Sequence, residues 1–506
     1  MKTMRALLIC LLAAACSEGT PGKRLANGIA HQVTVAPGAA AFLLDAVHPD
    51  DRSVPDDLLA GDLWIARLDQ PDKPVAQKAG SGVPTSAGAF AFSHPGDALA
   101  FLASWRFRAG LGELWIATAA GGPQKLAAEV SAFEWAPSAT ALAFVAPGRV
   151  GILKAGLRET LATPLEGAQS LAWSPDGQHL AVRAAASAGG RLWLIDAQSG
   201  AKKEVAAFTT DFAFAADGTL AALGPPAARG GDRQLLALAP GAAEPVKLAR
   251  ATAFAFSPDG RELALLSTEK NPGEATGELA RLARTGGAPQ VVGQRVSDWR
   301  WSAAGDLLYL GGYDLRARAG VLTVSPAGGG APRELARKVQ SFVAQGKRVL
   351  YLVQAPQKGD YKIELWTALL DGSAPRKIDD GVYGYQLSND GATLFWKARC
   401  AGTARSCSLL RAPIDGTAPP TLLSPNVAGF DLSQDGTRIL LEQPHRGATR
   451  AVDLAVVEAM GAPPGHLKPF ALEADASSRF ADPAGKRVVY ATLTAGKGSV
   501  YVTDLP

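Results

Sequence analysis

Four cysteines in 506 residues are too few to staple a chain of this size, so its fold must stand on packing. Charge is sparse as well: 19% of residues are charged against 47% hydrophobic, which excludes wholesale disorder. Lys+Arg 51 against Asp+Glu 47 gives a net charge of only +4, and so small an excess does not point to nucleic acid as a partner. After the N-terminus no apolar run reaches the roughly 18 residues that a spanning helix needs. Chemistry-bearing motifs are missing too. AGKGSV at 495–500 has a glycine where a phosphate loop needs Ser or Thr, and no His-Glu-x-x-His or Cys-x-x-Cys occurs. The six histidines (31, 48, 94, 179, 445 and 466) have no metal-ligand spacing, so no metal and no cofactor is expected. What is abundant is turn chemistry, with Gly 55 and Pro 34.

The N-terminus reads MKTMRALLICLLAAACSEG. Lys2 and Arg5 precede an apolar run from Ala6 to Ala15 that is too short to span a bilayer and ends in small residues, as a signal peptide does. The run ends AAAC, which resembles the lipobox of bacterial lipoproteins, with Ala13 where that family prefers Leu. The resemblance implies a signal peptide over 1–15, lipidation at Cys16 and a lipidated linker over 16–21. Ser17 after the cysteine implies outer-membrane sorting in lipoproteins of the enteric type. The expectation is therefore a cell-envelope protein that touches the membrane through its anchor only.

Internal repetition decides the fold class. The clearest unit, SLAWSPDGQHLAVRAAASAGGRLWLIDAQSGAKKEVA at 170–206, alternates apolar runs with Gly turns and predicts four antiparallel strands, A to D. It recurs at FAFSHPGDALAFLAS (90–104), FAFSPDGRELALLS (254–267), WRWSAAGDLLYLGG (299–312), YQLSNDGATLFWKA (385–398) and FDLSQDGTRILLEQ (430–443). The A–B turns fall near 38, 96, 139, 177, 218, 260, 305, 346, 391, 436 and 485. Four strands in each unit of about 42 residues predict an all-β β-propeller of about eleven four-stranded blades. The aromatics before the turns (Phe92, Trp135, Trp173, Phe214, Phe256 and Trp301) are expected to fill the wedges between blades.

The SPDG turns at Ser174–Gly177 and Ser257–Gly260, each followed by apolar strands and LW[IL], resemble the Tol-type propeller repeats of the TolB family. They also resemble the propeller domains of prolyl-oligopeptidase and dipeptidyl-peptidase relatives. The chain departs from both. No βα pattern precedes the repeats, and no Gly-x-Ser-x-Gly elbow occurs.

Eleven repeats exceed the usual four to eight blades of one ring. Two rings of five to six blades are the expectation, 22–293 and 294–506. The last repeat stops after strand C, however, and GKRLANGIAHQV reads as a D strand followed by a D–A loop. An N-terminal strand closing the last blade would place both ends in one ring.

Propeller geometry gathers the B–C loops on one face. There lie Trp105, Arg106, Phe107 and Arg108, then Arg229 and Arg233, then Tyr313, Arg316 and Arg318. Lys358, Tyr361, Arg399, Arg405, His445, Arg446 and Arg450 follow, beside an acidic insertion with Asp50, Asp51, Asp56 and Asp57. Arginine and aromatic side chains are the anchors that protein interfaces use. Trp105–Arg108, Tyr313, Arg316, Arg318, Arg399 and Arg405 are thus the candidate contacts for an envelope protein or an anionic polymer. Cys400 and Cys407 flank one such loop, where adjacent antiparallel strands bring Cβ atoms close enough for a disulfide. On the inner strand, Glu134, Arg300, Gln386 and Asp431 stand where other repeats carry Ala91, Ala172, Ala213 and Ala255. A non-catalytic binding scaffold is the expected function. The alternative is a hydrolase or lyase of envelope glycans or peptides that works through the channel carboxylates.

Overall fold

A computed structural model of the chain describes residues 22–48, 58–68, 75–94, 96–118, 121–137, 141–154, 160–186, 189–226, 231–268, 276–357, 360–400, 406–445, 452–461, 469, 471–474, 478–494 and 497–505. Its described elements are all β-strands, in antiparallel sheets whose strands follow chain order except where the first strand joins the last. Seven sheets have four strands. A seven-stranded sheet joins the seventh and eighth repeats, and an eight-stranded one joins the tenth and eleventh. In the seven-stranded sheet one long strand, Arg333–Gln345, is the last strand of one repeat and the first of the next. Its first half pairs with Ala319–Ser325 and its second with Arg348–Gln357.

The turn between first and second strands shows why SPDG recurs. Ser174 Oγ donates to Asp176 Oδ1 (2.5 Å) and accepts the His179 N–H (2.9 Å), while Asp176 accepts the Gln178 N–H (3.0 Å). Gly177 closes the turn at φ 69°, a left-handed conformation that a side chain would resist. Ser257, Ser388 and Ser433 repeat the device with Asp259, Asp390 and Asp435.

The second strands are apolar at nearly every position because both faces are covered. In Ala98–Arg106, Leu99, Phe101 and Ala103 pack toward the preceding repeat, and Ala98, Ala100 and Leu102 pack toward the following one. Such layers link consecutive repeats along the whole chain. The turn aromatics lie in them, as expected. Three tryptophans add a polar stitch to the preceding repeat's inner strand: Trp135 donates to Ala91 O (3.1 Å), Trp173 to Glu134 O (3.1 Å) and Trp301 to Ala255 O (3.3 Å).

A further layer brings Val489, Ala491, Val500 and Val502 of the last repeat against Ala40, Phe42 and Leu44 of the first. Lys23–Asn27 pairs antiparallel with Lys497–Asp504, Lys23 opposite Val502 and Asn27 opposite Ser499, and so supplies the last repeat's fourth strand. The expected boundary at 293/294 falls inside the strand Gln290–Val296, whose Val292 and Val296 pack with Tyr309 of the next repeat.

Candidate functional site

The second strand of several repeats ends in a bulge, and the side chain after the bulge is redirected. Ser104 (φ 51°) and Gly312 (φ 54°) take left-handed conformations immediately before Trp105 and Tyr313. Each ring then lies over a glycine of the third strand. A Cβ on Gly112 would stand 3.0 Å from the Trp105 ring, and one on Gly320 would stand 3.2 Å from the Tyr313 ring. Both aromatics are half-buried against interior layers, so packing is their first duty. Arg106 is tied to Glu129 at 3.0 Å, both exposed; such a pair contributes about 1 kcal/mol at most. Phe107 is half-buried and Arg108 exposed.

The loop after Tyr313 is held from three directions. Asp314 Oδ1 accepts the N–H groups of Arg316 (2.8 Å) and Ala317 (3.1 Å), and these bonds hold its carboxyl below the usual range. Arg295 of the preceding repeat donates to Tyr313 O (2.7 Å). Gln354 of the following repeat donates to Ala317 O (2.5 Å). Leu315, Arg316 and Arg318 are left exposed on this fixed turn, Arg318 at a left-handed φ of 52°.

Cys400 and Cys407 are joined in a disulfide, as their placement predicted. It closes the base of a loop beside Arg399, which is left-handed (φ 55°), exposed and 3.8 Å from Asp379. At the next repeat, His445 Nδ1 lies 2.7 Å from Asp453 Oδ1. Cys16, Asp50, Asp51, Asp56, Asp57, Arg229, Lys358, Arg405, Arg446, Arg450 and the Tyr361 side chain lie outside the described residues.

The inner-strand polar residues have different immediate surroundings. Glu134 is half-buried, and burial lifts its carboxyl to about 7. Arg300 stands over the Phe342 ring (5.5 Å to the centroid) and donates to Asp298 (3.2 Å). Gln386 is half-buried on Val382–Leu387. Asp431 accepts the Leu432 N–H (3.0 Å) and lines a cleft of about 210 Å³ with Val35, Arg479 and Phe480, but without Glu134, Arg300 or Gln386. Among the described residues, no three His, Cys, Asp or Glu side chains form a group able to hold a metal.

Sequence expectations pass over one residue that the structure makes prominent. Arg281 faces the next repeat from a third strand and is 3% exposed. Its guanidinium pairs with Glu262, donates to Ser325 O (3.1 Å), Ser325 Oγ (3.2 Å) and Pro326 O, and stands over the Trp301 ring (5.1 Å). Arg411 holds the same strand position three repeats later and donates to Ala459 O. The available signal is Arg at a core-facing place in LARLAR (279–284) and LLRAP (409–413). At the same place Leu194 and Val324 leave crevices open, of about 290 and 350 Å³.

No protein-family model and no curated protein matches the chain. The solved structures to which it is similar are propeller-type proteins at low identity. A structure described as the eukaryotic initiation factor is 12% identical, with a TM-score of 0.41, over 71% of this chain and 92% of that one. Porphyromonas gingivalis dipeptidyl peptidase 4 is 12% identical, with a TM-score of 0.40, over 86% and 66%. The dihydro-heme d1 dehydrogenase NirN is 15% identical, with a TM-score of 0.34, over 63% and 72%.

Proposed function

We propose that the chain is a lipid-anchored scaffold of the cell envelope, held by Cys16, whose B–C loops bind an acidic protein or an anionic polymer. The carrying observation is the turn at 314–318. Its backbone is tied to the repeats on either side, while Leu315, Arg316 and Arg318 point into solvent. A loop fixed before binding avoids the ordering cost of association, and arginine beside an exposed apolar side chain suits a charged partner with an apolar patch.

The scaffold is proposed to close as one ring of eleven blades. The unbroken succession of layers, the return layer from last repeat to first, and the pairing of Lys23–Asn27 with Lys497–Asp504 support this over two rings. A hydrolase or lyase remains the competing function, and the desolvated Glu134 carboxyl favours it, being poised to exchange a proton near neutral pH.

A crosslinked pull-down from the native envelope separates the two. The Leu315→Ala/Arg316→Ala/Arg318→Ala protein is expected to lose a partner that the Glu134→Gln protein retains. An unchanged capture profile for the loop variant overturns the scaffold reading.

A further inference from the structure

The crevice between the sixth and seventh repeats and the crevice between the seventh and eighth share one plan, and only the first is filled from within. Glu262 and Asp306 hold equivalent places. Each closes its turn by accepting the N–H of Ser257 or Ser302 at its carbonyl and donating its own N–H to that serine's hydroxyl. Two residues on, Ala264 stands opposite Arg281 and Leu308 opposite Val324. Val324 therefore occupies the place of Arg281, and Asp306 the place of its carboxylate partner. The far wall repeats as well: Leu369 and Gly346 stand in the eighth repeat where Pro326 and Gly305 receive Arg281 in the seventh.

A cleft of about 350 Å³ remains where the guanidinium would lie. Val324 is buried at its base and Asp306 is half-buried beside it. The Asp306 carboxylate accepts from the Ser302 hydroxyl (3.2 Å) and the Ala327 N–H (2.9 Å), and among the described residues no cation pairs with it. Arg333 and Lys347 line the same cleft but are exposed, and the charge of Arg333 bears on exposed Asp371.

We propose that this cleft is a receptor for an arginine side chain of a partner protein, which enters as Arg281 enters the neighbouring crevice. A planar guanidinium can pair with a carboxylate while donating to backbone carbonyls; an ammonium has no such fork.

The test is a methyl-NMR titration of the purified protein, with valine methyls labelled, using N-acetylarginine methylamide and its lysine counterpart as probes. A saturable shift of the Val324 methyls is expected with the arginine probe, with at least tenfold weaker binding of the lysine probe. Asp306→Asn, which keeps the size and the turn contacts, is expected to weaken arginine binding at least tenfold. Val324→Arg is expected to abolish it while raising the unfolding midpoint, because the tethered side chain takes the site. The proposal is overturned by no shift at Val324, by equal response to both probes, by unchanged binding in Asp306→Asn, or by a Val324→Arg protein that cannot fold.

Discussion

Two neighbouring crevices of this chain share a backbone plan and differ in what fills them. Between the sixth and seventh repeats, Arg281 crosses from one sheet to the next and finds a carboxylate, three backbone carbonyls, a hydroxyl and an indole face. Between the seventh and eighth, Val324 stops short and a cleft is left. The backbone plan does not require the arginine, since the sheets pack either way through Leu308, Leu322 and Val349 in one layer and Ala264, Leu279 and Leu307 in the other. A buried charge in this architecture is an addition to a layer that apolar contacts already hold, and its value depends on every partner being present.

The sharpest way to break the comparison is Arg281→Ala. It strands Glu262 and several acceptors and opens the crevice, so urea denaturation should show a loss of about 3–5 kcal/mol. Arg281→Leu, which imitates Leu194 of the open crevice between the fourth and fifth repeats, should cost clearly less. Equal losses would mean that the lost polar set, and not packing volume, makes the difference.

Glu134 supplies the opposite case, a half-buried carboxyl whose shift comes from burial alone. Its pKa of about 7 lies above the ordinary glutamate value of 4.5, so between those pH values the folded state holds a proton that the unfolded state has released. Stability from this group is present below pH about 4.5, falls as pH rises to about 7, and is level above. The whole loss is on the order of 1–3 kcal/mol, allowing for partial solvent access. Denaturation midpoints at pH 5 and pH 8 should differ by less in Glu134→Gln than in the parent protein. An identical pH dependence would remove Glu134 from consideration as a desolvated acid.

The smallest expected effect is that of Trp301→Phe. It removes the donor to Ala255 O and weakens the face under Arg281, together about 1 kcal/mol. In the Arg281→Leu background the same change should cost less. That non-additivity, measured as a double-mutant cycle, would establish that guanidinium and indole act as one unit.

Much of the fold is legible in local patterns. The Ser-x-Asp-Gly turns specify their own hydrogen bonds, so quoting Ser174–Gly177 is nearly a description of the turn. The doubly covered second strands announce themselves as unbroken apolar runs such as ALAFLA at 98–103. The place of KRLAN is legible for another reason: the last repeat stops after its third strand, and GKRLANGIAHQV reads as the missing fourth. The site is less so. Trp105 and Tyr313 look like free anchors in a loop, but a single left-handed residue before each turns the ring onto a glycine of the adjacent strand. Arg281 looks like one arginine among many, because its role depends on what the next repeat presents across the crevice. Side chains that act across sheets are set by a register between segments about forty residues apart, and no local pattern records it.

Lys23–Asn27 has a consequence in time. During synthesis this strand emerges more than 450 residues before its partner, Lys497–Asp504. Until then it is an unpaired edge, and the joining contacts are 468 residues apart in sequence, as between the Gly22 N–H and the Tyr490 hydroxyl (2.9 Å). Contacts so distant in sequence form slowly, because the chain must be ordered before they reward it. Closure of this pair should therefore come late in folding, and a chain lacking the strand Lys497–Asp504 should keep its central layers while leaving Lys23–Asn27 open to pairing with another copy.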